Sequence, residues 1–158
     1  TPQNIDAARQ RCEELRRDLA IMQREKQEYE REKARLRERA RSFWASGERS
    51  PEVEVQSAFE RLARRARVTV NTIGGLRTDE VSENVRAVEF SVRMQASMQE
   101  VSKLLAALER AENPFYGESC MIRPDNPKQP RAVILQGKLQ AFVLTPQATR
   151  FLFGNNES

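Results

Sequence analysis

The chain has 158 residues, 39% hydrophobic and 32% charged, with 27 Lys/Arg against 23 Asp/Glu for a net charge of +4. That length allows one ordinary domain plus an extension, and a near-balanced charge does not by itself imply a nucleic-acid partner. The sequence contains no histidine, which removes the commonest general base and the commonest metal ligand, and no apolar run approaches the ~20 residues needed to span a bilayer.

The first forty-odd residues are almost pure charge, broken by a regular apolar seam. One set of positions is Ile5, Cys12, Leu19, Lys26, Lys33 and Ala40; the other is Ala8, Leu15, Met22, Tyr29, Leu36 and Phe43. The spacing alternates three and four, and ten of these twelve residues are uncharged. This predicts a heptad helix over residues 1–46, with no Gly or Pro after Pro2 to interrupt it. Its apolar stripe is too narrow for a helix that stands alone, so the seam is expected to take a partner helix. The lysines at positions 26 and 33 weaken the centre of the seam and limit the partner or the oligomer number. The alternative is a solitary charged helix held by i,i+4 Glu–Arg pairs. Phe43 and Trp44 are expected to pack where this segment meets the rest of the chain.

"RSFWASGERSP", 41–51, closes the segment. Gly47 offers a left-handed residue, and Ser50-Pro51 opens the next helix with a cap and a first-turn proline. From there the pattern is that of a globular domain over 50–145. "SPEVEVQSAFERLARRA" sets Val55, Phe59, Leu62, Ala63 and Ala66 on one helical face. "RVTVNTIGG" reads as a strand that stops at Gly74-Gly75, followed by a polar connector. "VRAVEFSVRMQA" alternates with Val88, Phe90, Val92 and Met94 on one side, a half-buried strand. Ser97 and Glu100 form a capping box, Val101, Leu104, Leu105 and Leu108 face a core, and Pro114 prevents continuation. "FYGESCMIR" is a third strand. "RAVILQGKLQAFVL" is a fourth, with Gly137 marking a bend or a close approach by the helices. The tail 146–158 has no clear period; only Phe151-Leu152-Phe153 suggests docking.

Helix, strand, strand, helix, strand, strand predicts an α+β fold: a ferredoxin-like αββαββ domain with a four-stranded antiparallel sheet and both helices on one face. The other face is then free, carrying Glu89, Arg93, Gln136, Lys138 and Gln140, with Ile134 and Phe142 as apolar exceptions and candidate contacts. So small a sheet also has edges that invite strand addition or dimerisation.

Catalytic chemistry finds little to rest on. There is no GxGxxG, P-loop or GxSxG; Glu118 near Cys120 is the one pairing of interest. Cys12 and Cys120 belong to no CxxC or zinc spacing, so no metal and no cofactor is expected. A disulfide between them and a small apolar role for Cys12 on the seam both stay open. Sheets of this type bind RNA through two or three exposed aromatics, and here Phe142 alone qualifies well.

The long charged helix, a second domain helix reading "MQEVSKLLAALERAENP" and the strand "AVILQGKLQAFVL" resemble the PilO family of type IV pilus machines and the related GspM component of type II secretion systems. The resemblance covers nearly the whole chain through patterns of apolar residues, and the length of the charged heptad favours the PilO-like version. It implies the periplasmic part of a bitopic inner-membrane protein, with a transmembrane helix ahead of Thr1. It implies no catalytic residues and no small-molecule substrate. It implies a homodimer, or a heterodimer with a PilN- or GspL-like subunit, formed through the coiled coil and the ferredoxin-like domain. A coiled-coil adaptor of another system remains the alternative, and a nucleic-acid-binding sheet a more distant one. The chain begins Thr-Pro-Gln-Asn without Met, which reads as a processed form or a piece of a longer protein.

Overall fold

A computed structural model of the chain describes residues 2–154. The described residues fall into two units by their contacts, one ending at Arg39 and the other beginning at Ala40. The first consists of the helix α1 (Pro2–Ala40) up to its last residue, which already belongs to the second; α1 has 39 residues and at ~1.5 Å rise per residue extends roughly 60 Å. No described helix is long and apolar enough to cross a membrane.

The second unit contains α2 (Pro51–Arg65), β1 (Thr69–Glu80), β2 (Val85–Ala96), α3 (Met98–Arg110), β3 (Tyr116–Pro124), β4 (Val133–Leu144) and α4 (Pro146–Phe153). The strands form one antiparallel sheet in the order β1-β2-β4-β3. This is the ferredoxin-like arrangement expected from the sequence, permuted so that a helix comes first. The central β2–β4 pair is regular from Val85↔Leu144 to Ala96↔Val133. Val88, Phe90, Val92 and Met94 of β2 lie with Leu135, Leu139, Ala141 and Val143 of β4 on the face packed against α2 and α3. The helices contribute Val55, Phe59, Ala63, Val101, Leu104 and Leu108. Phe59, Phe90 and Phe115 meet edge to face at the centre, with centroids 5.4–6.1 Å apart, in the range such rings prefer.

Local signals set the helix ends. Ser97 accepts from Glu100 N at 3.1 Å while the Glu100 carboxylate accepts from Ser97 N at 3.1 Å, the expected capping box. At the end of α2, Val68 N donates to Ala63 O and Arg67 N to Arg64 O, a Schellman stop with Arg67 at φ 60°. Gly47, expected to supply a left-handed residue, does not have a positive φ; among the described residues those that do are Arg67, Gly75 and Gly154. Ser50 precedes α2 without a side-chain cap bond, leaving Pro51 to start the helix.

Several expectations are corrected. The helical part of α1 ends at Ala40, short of 46, because the backbone of Trp44 is engaged elsewhere. Trp44 N donates to Phe142 O at 2.8 Å and Leu144 N donates to Trp44 O at 2.7 Å, a short parallel bridge to the end of β4. β1 does not stop at Gly74-Gly75 but continues to Glu80. Its register shifts between Val70/Thr72 and between Gly74/Arg77, and Gly75 at φ 63° takes up the second bulge. Gly137 is approached not by the helices but by the neighbouring edge strand: a Cβ there would lie 3.1 Å from Ser119 O, beside the bulge in β3.

The tail is a helix over most of its length. Thr145 caps α4 by accepting from Ala148 N at 3.2 Å, Pro146 opens it and Gly154 at φ 75° closes it. Ala148 and Leu152 bury against Leu144 and Ala40, with Phe43, Val85 and Phe153 packed around them. Leu144 shares its side of β4 with Phe142, so this second cluster covers one end of the face opposite α2 and α3. The expected tail beyond Gly154 lies outside the described residues.

Candidate interaction surfaces

The seam of α1 is exposed from Ile5 to Tyr29 and again at Leu36, while Lys33 is half-buried and Ala40 is buried. Leu15 is 59% and Met22 64% accessible, and Ile5, Leu19, Tyr29 and Leu36 are about half exposed or more; Ala8 and Cys12 are exposed as well. Apolar side chains at heptad spacing on an otherwise charged helix form a ridge that water solvates poorly and a second helix can cover. Phe43, placed on the same seam by its spacing, lies past the end of α1. It packs with the α4 cluster and against Phe142, centroids 5.9 Å apart. Trp44, its neighbour, stacks edge-on to Phe115 at 5.9 Å. Its Nε1 is buried and has no hydrogen-bond partner among the described residues.

On the outer sheet face, Phe142 is flanked by Phe43 and by Tyr116, the latter at 5.4 Å, and both Ile134 and Phe142 are half-buried. The sequence placed Phe142 on the correct face; the rings that shield it come from distant segments. Beside them lies a charge network that strand alternation did not reveal. Glu89, only 7% accessible, meets Lys138 Nζ at 2.8 Å and Arg77 at 3.2 Å, and Arg77 also meets Asp79 at 3.1 Å. The hydrogen bond from Lys138 holds the Glu89 carboxyl below its usual range, against the opposing effect of burial. A shallow concavity of ~660 Å³ opens next to this network, floored by small side chains including Thr72, Gly74, Ser91 and Ser119.

The sheet edges are β1 and β3. All nine residues of β3 are exposed, among them Met121 at 62%. Behind this strand a groove of ~400 Å³ is lined by Leu105, Leu108, Pro114, Phe115 and Leu139. Both edges carry bulges, which limit indiscriminate pairing, yet β3 still presents unpaired backbone next to apolar surface. Cys120 is exposed on this strand and Cys12 on α1; both are free thiols.

Carboxylates set the acid limit of the α+β unit. Glu52 is lowered chiefly by the hydroxyl of Thr78, Glu100 by the backbone of Ser97, and Asp125 by the backbone N–H of Ala132; Glu89 joins them. Each titrates at lower pH folded than unfolded. The stability they contribute is therefore present above the ordinary carboxylate range, near ~4–4.5, and is lost as pH falls through the lowered values. Thermal melts should show a level midpoint from about pH 7 to 5 and a progressive fall below about pH 4; a midpoint that rises on acidification would contradict these assignments.

No protein-family model matches the sequence, and neither does any curated protein. Solved structures do. The type 4 fimbrial biogenesis protein PilO from Pseudomonas aeruginosa superposes with a TM-score of 0.52 at 10% identity, over 61% of this chain and 73% of that one. The core region of PilO from the same type IV pilus system gives 0.47 at 8% identity, over 54% and 90%. An Akkermansia muciniphila protein lacking its transmembrane region gives 0.46 at 10% identity, over 73% and 79%. The first of these carries the conclusion that the chain is PilO-like in fold.

Proposed function

We propose that the chain is a non-catalytic assembly component of a bacterial envelope machine of the type IV pilus or type II secretion class. It acts by holding other polypeptides in place. The observation that carries this reading is the exposed apolar ridge of α1, Leu15 to Leu36, joined in one chain to an α+β unit with the PilO-like fold. The ridge needs a covering helix, and the fold is one that a fimbrial biogenesis protein also has. In this reading α1 forms a parallel coiled coil. The ferredoxin-like unit adds a second contact, through the outer face near Ile134 and Phe142 or through the β3 edge. The chain lies on the periplasmic side of the inner membrane and links the membrane platform to a PilN- or GspL-like subunit.

The test is a chromosomal replacement in the source bacterium. A copy carrying Leu15→Asp and Leu36→Asp should accumulate normally yet abolish surface pili or secretion. Unimpaired assembly with a variant that no longer pairs would overturn the proposal.

A further inference from the structure

The helix α2 and the outer edge of β1 enclose a surface that none of the contacts above uses. We infer that it takes an extended segment of another polypeptide, laid along the first half of β1 and carrying carboxylates that meet Arg61, Arg64 and Arg67. This contact is independent of α1.

The strand β1 is outermost in the sheet and pairs only with β2, so its other edge presents backbone donors and acceptors without a strand partner. Between that edge and α2 runs a groove of ~530 Å³, walled by Gln56, Glu60 and Arg64 on the helix and by Thr69 to Ile73 on the strand. Along it Ala63 and Val68 are buried, Val70 and Ile73 half-buried, and Thr69, Asn71 and Thr72 exposed. An open strand edge beside a helix, with apolar and polar side chains interspersed, is the geometry by which extended peptides add to a sheet. Backbone bonds hold the segment and alternate side chains select it. The register shift between Val70 and Thr72 interrupts the edge, which keeps the added run short and moves selectivity from the backbone to the groove.

Charge complementarity names the occupant. Arg61, Arg64, Arg65 and Arg67 are all exposed, and none has an ion pair among the described residues. Two carboxylates nearby are already engaged. Glu60 accepts from Gln56 Nε2 at 3.1 Å. Glu100, held low first by the Ser97 backbone and to a lesser degree by Arg67, closes the capping box. The helix dipole accounts for cations in the last turn of α2, Arg64 and Arg65. It does not account for Arg61 a turn earlier, nor for Arg67, which stands at φ 60° where glycine is the usual residue. Guanidinium groups without counter-charges beside a strand edge select carboxylates on the added segment. No aromatic side chain lines the groove, so bases have nothing to stack on. Glu60 in its wall opposes an unbroken run of phosphates but tolerates carboxylates spaced along a peptide.

The test uses the full chain carrying Leu15→Asp and Leu36→Asp, so that pairing of α1 does not enter, with labelled short peptides of alternating valine and glutamate or valine and lysine. Fluorescence anisotropy should show the glutamate peptide binding at least ~10-fold more tightly than the lysine peptide, with the advantage shrinking at high salt. Amide exchange from Thr69 to Ile73 should slow on binding while β3 is unchanged. Arg61→Glu with Arg64→Glu should weaken binding at least ~10-fold, whereas Arg9→Glu with Arg17→Glu on α1 should leave it as it was. Arg67→Gly separates contact from fold: it should raise the melting midpoint by relieving the left-handed backbone and yet weaken binding. Equal binding of the two peptides, no saturable binding of the glutamate peptide, protection of β3 in place of β1, or an Arg67→Gly chain that binds as tightly as its parent would overturn the inference. So would tighter binding of single-stranded DNA or of anionic phospholipid vesicles that Arg61→Glu with Arg64→Glu abolishes, because the arginines would then serve phosphate.

Discussion

Leu15→Asp together with Leu36→Asp should weaken every pairing of α1 by at least ~100-fold while leaving the α+β unit folded. Each leucine covered by a partner contributes ~1.5–3 kcal/mol, so the two account for roughly 3–6 kcal/mol at ~1.4 kcal/mol per tenfold. The introduced carboxylates add the cost of placing charge in an apolar seam. Both positions are exposed in the single chain and belong to the unit that ends at Arg39. Circular dichroism and the melting midpoint of the α+β unit should therefore change little. Sedimentation equilibrium of the variant, alone and mixed with the unaltered chain, checks the first part, and a urea melt checks the second. A variant that pairs as tightly as the parent would show that the ridge is not the contact.

Phe59→Ala should have the largest effect on stability. Phe59 is fully buried and its ring touches both Phe90 and Phe115, 5.4 and 6.0 Å away. Removing a buried phenylalanine costs about 3–5 kcal/mol through lost transfer energy and the cavity left behind, against a typical total of ~5–15 kcal/mol for a domain. The loss of two edge-to-face contacts places the effect toward the upper part of that range. Urea unfolding should show a midpoint drop corresponding to ~3–5 kcal/mol with the slope unchanged, and a drop below ~1 kcal/mol would mean that this cluster is not the centre of the core.

Much of this architecture is legible in the sequence because it rests on local repetition. The alternation of Val88, Phe90, Val92 and Met94 gives β2, and the pair Ser97 and Glu100 starts α3. The heptad spacing gives α1, and the element order gives the permuted sheet. What escaped depends on distant parts of the chain or on segments too short to show a period. The end of α1 is set by Phe142 and Leu144, a hundred residues on. The eight residues of α4 hold barely two turns of pattern, although Thr145-Pro146 and Gly154 flank them with a start and a stop. Strand alternation puts Glu89 and Phe142 on the outer face, but burial there comes from Lys138 and Arg77 for one and from Phe43 and Tyr116 for the other. For the interaction surfaces, the sequence yields the ridge directly and the existence of open sheet edges in general, whereas the strand order that puts β3 at an edge and the groove behind it, built from α3 and β4, come only with the assembled fold.

The most direct test is a cross-linking scan of α1 in the source cells, with a photoreactive residue placed singly at Leu15, Met22, Leu36 and, on the opposite side of the helix, Arg17 and Arg24. Covalent adducts to another polypeptide at the three apolar positions, absent at the two arginines and lost on adding a seam aspartate, are what a covered ridge gives. Equal adducts at all five positions, or none at any, would contradict it.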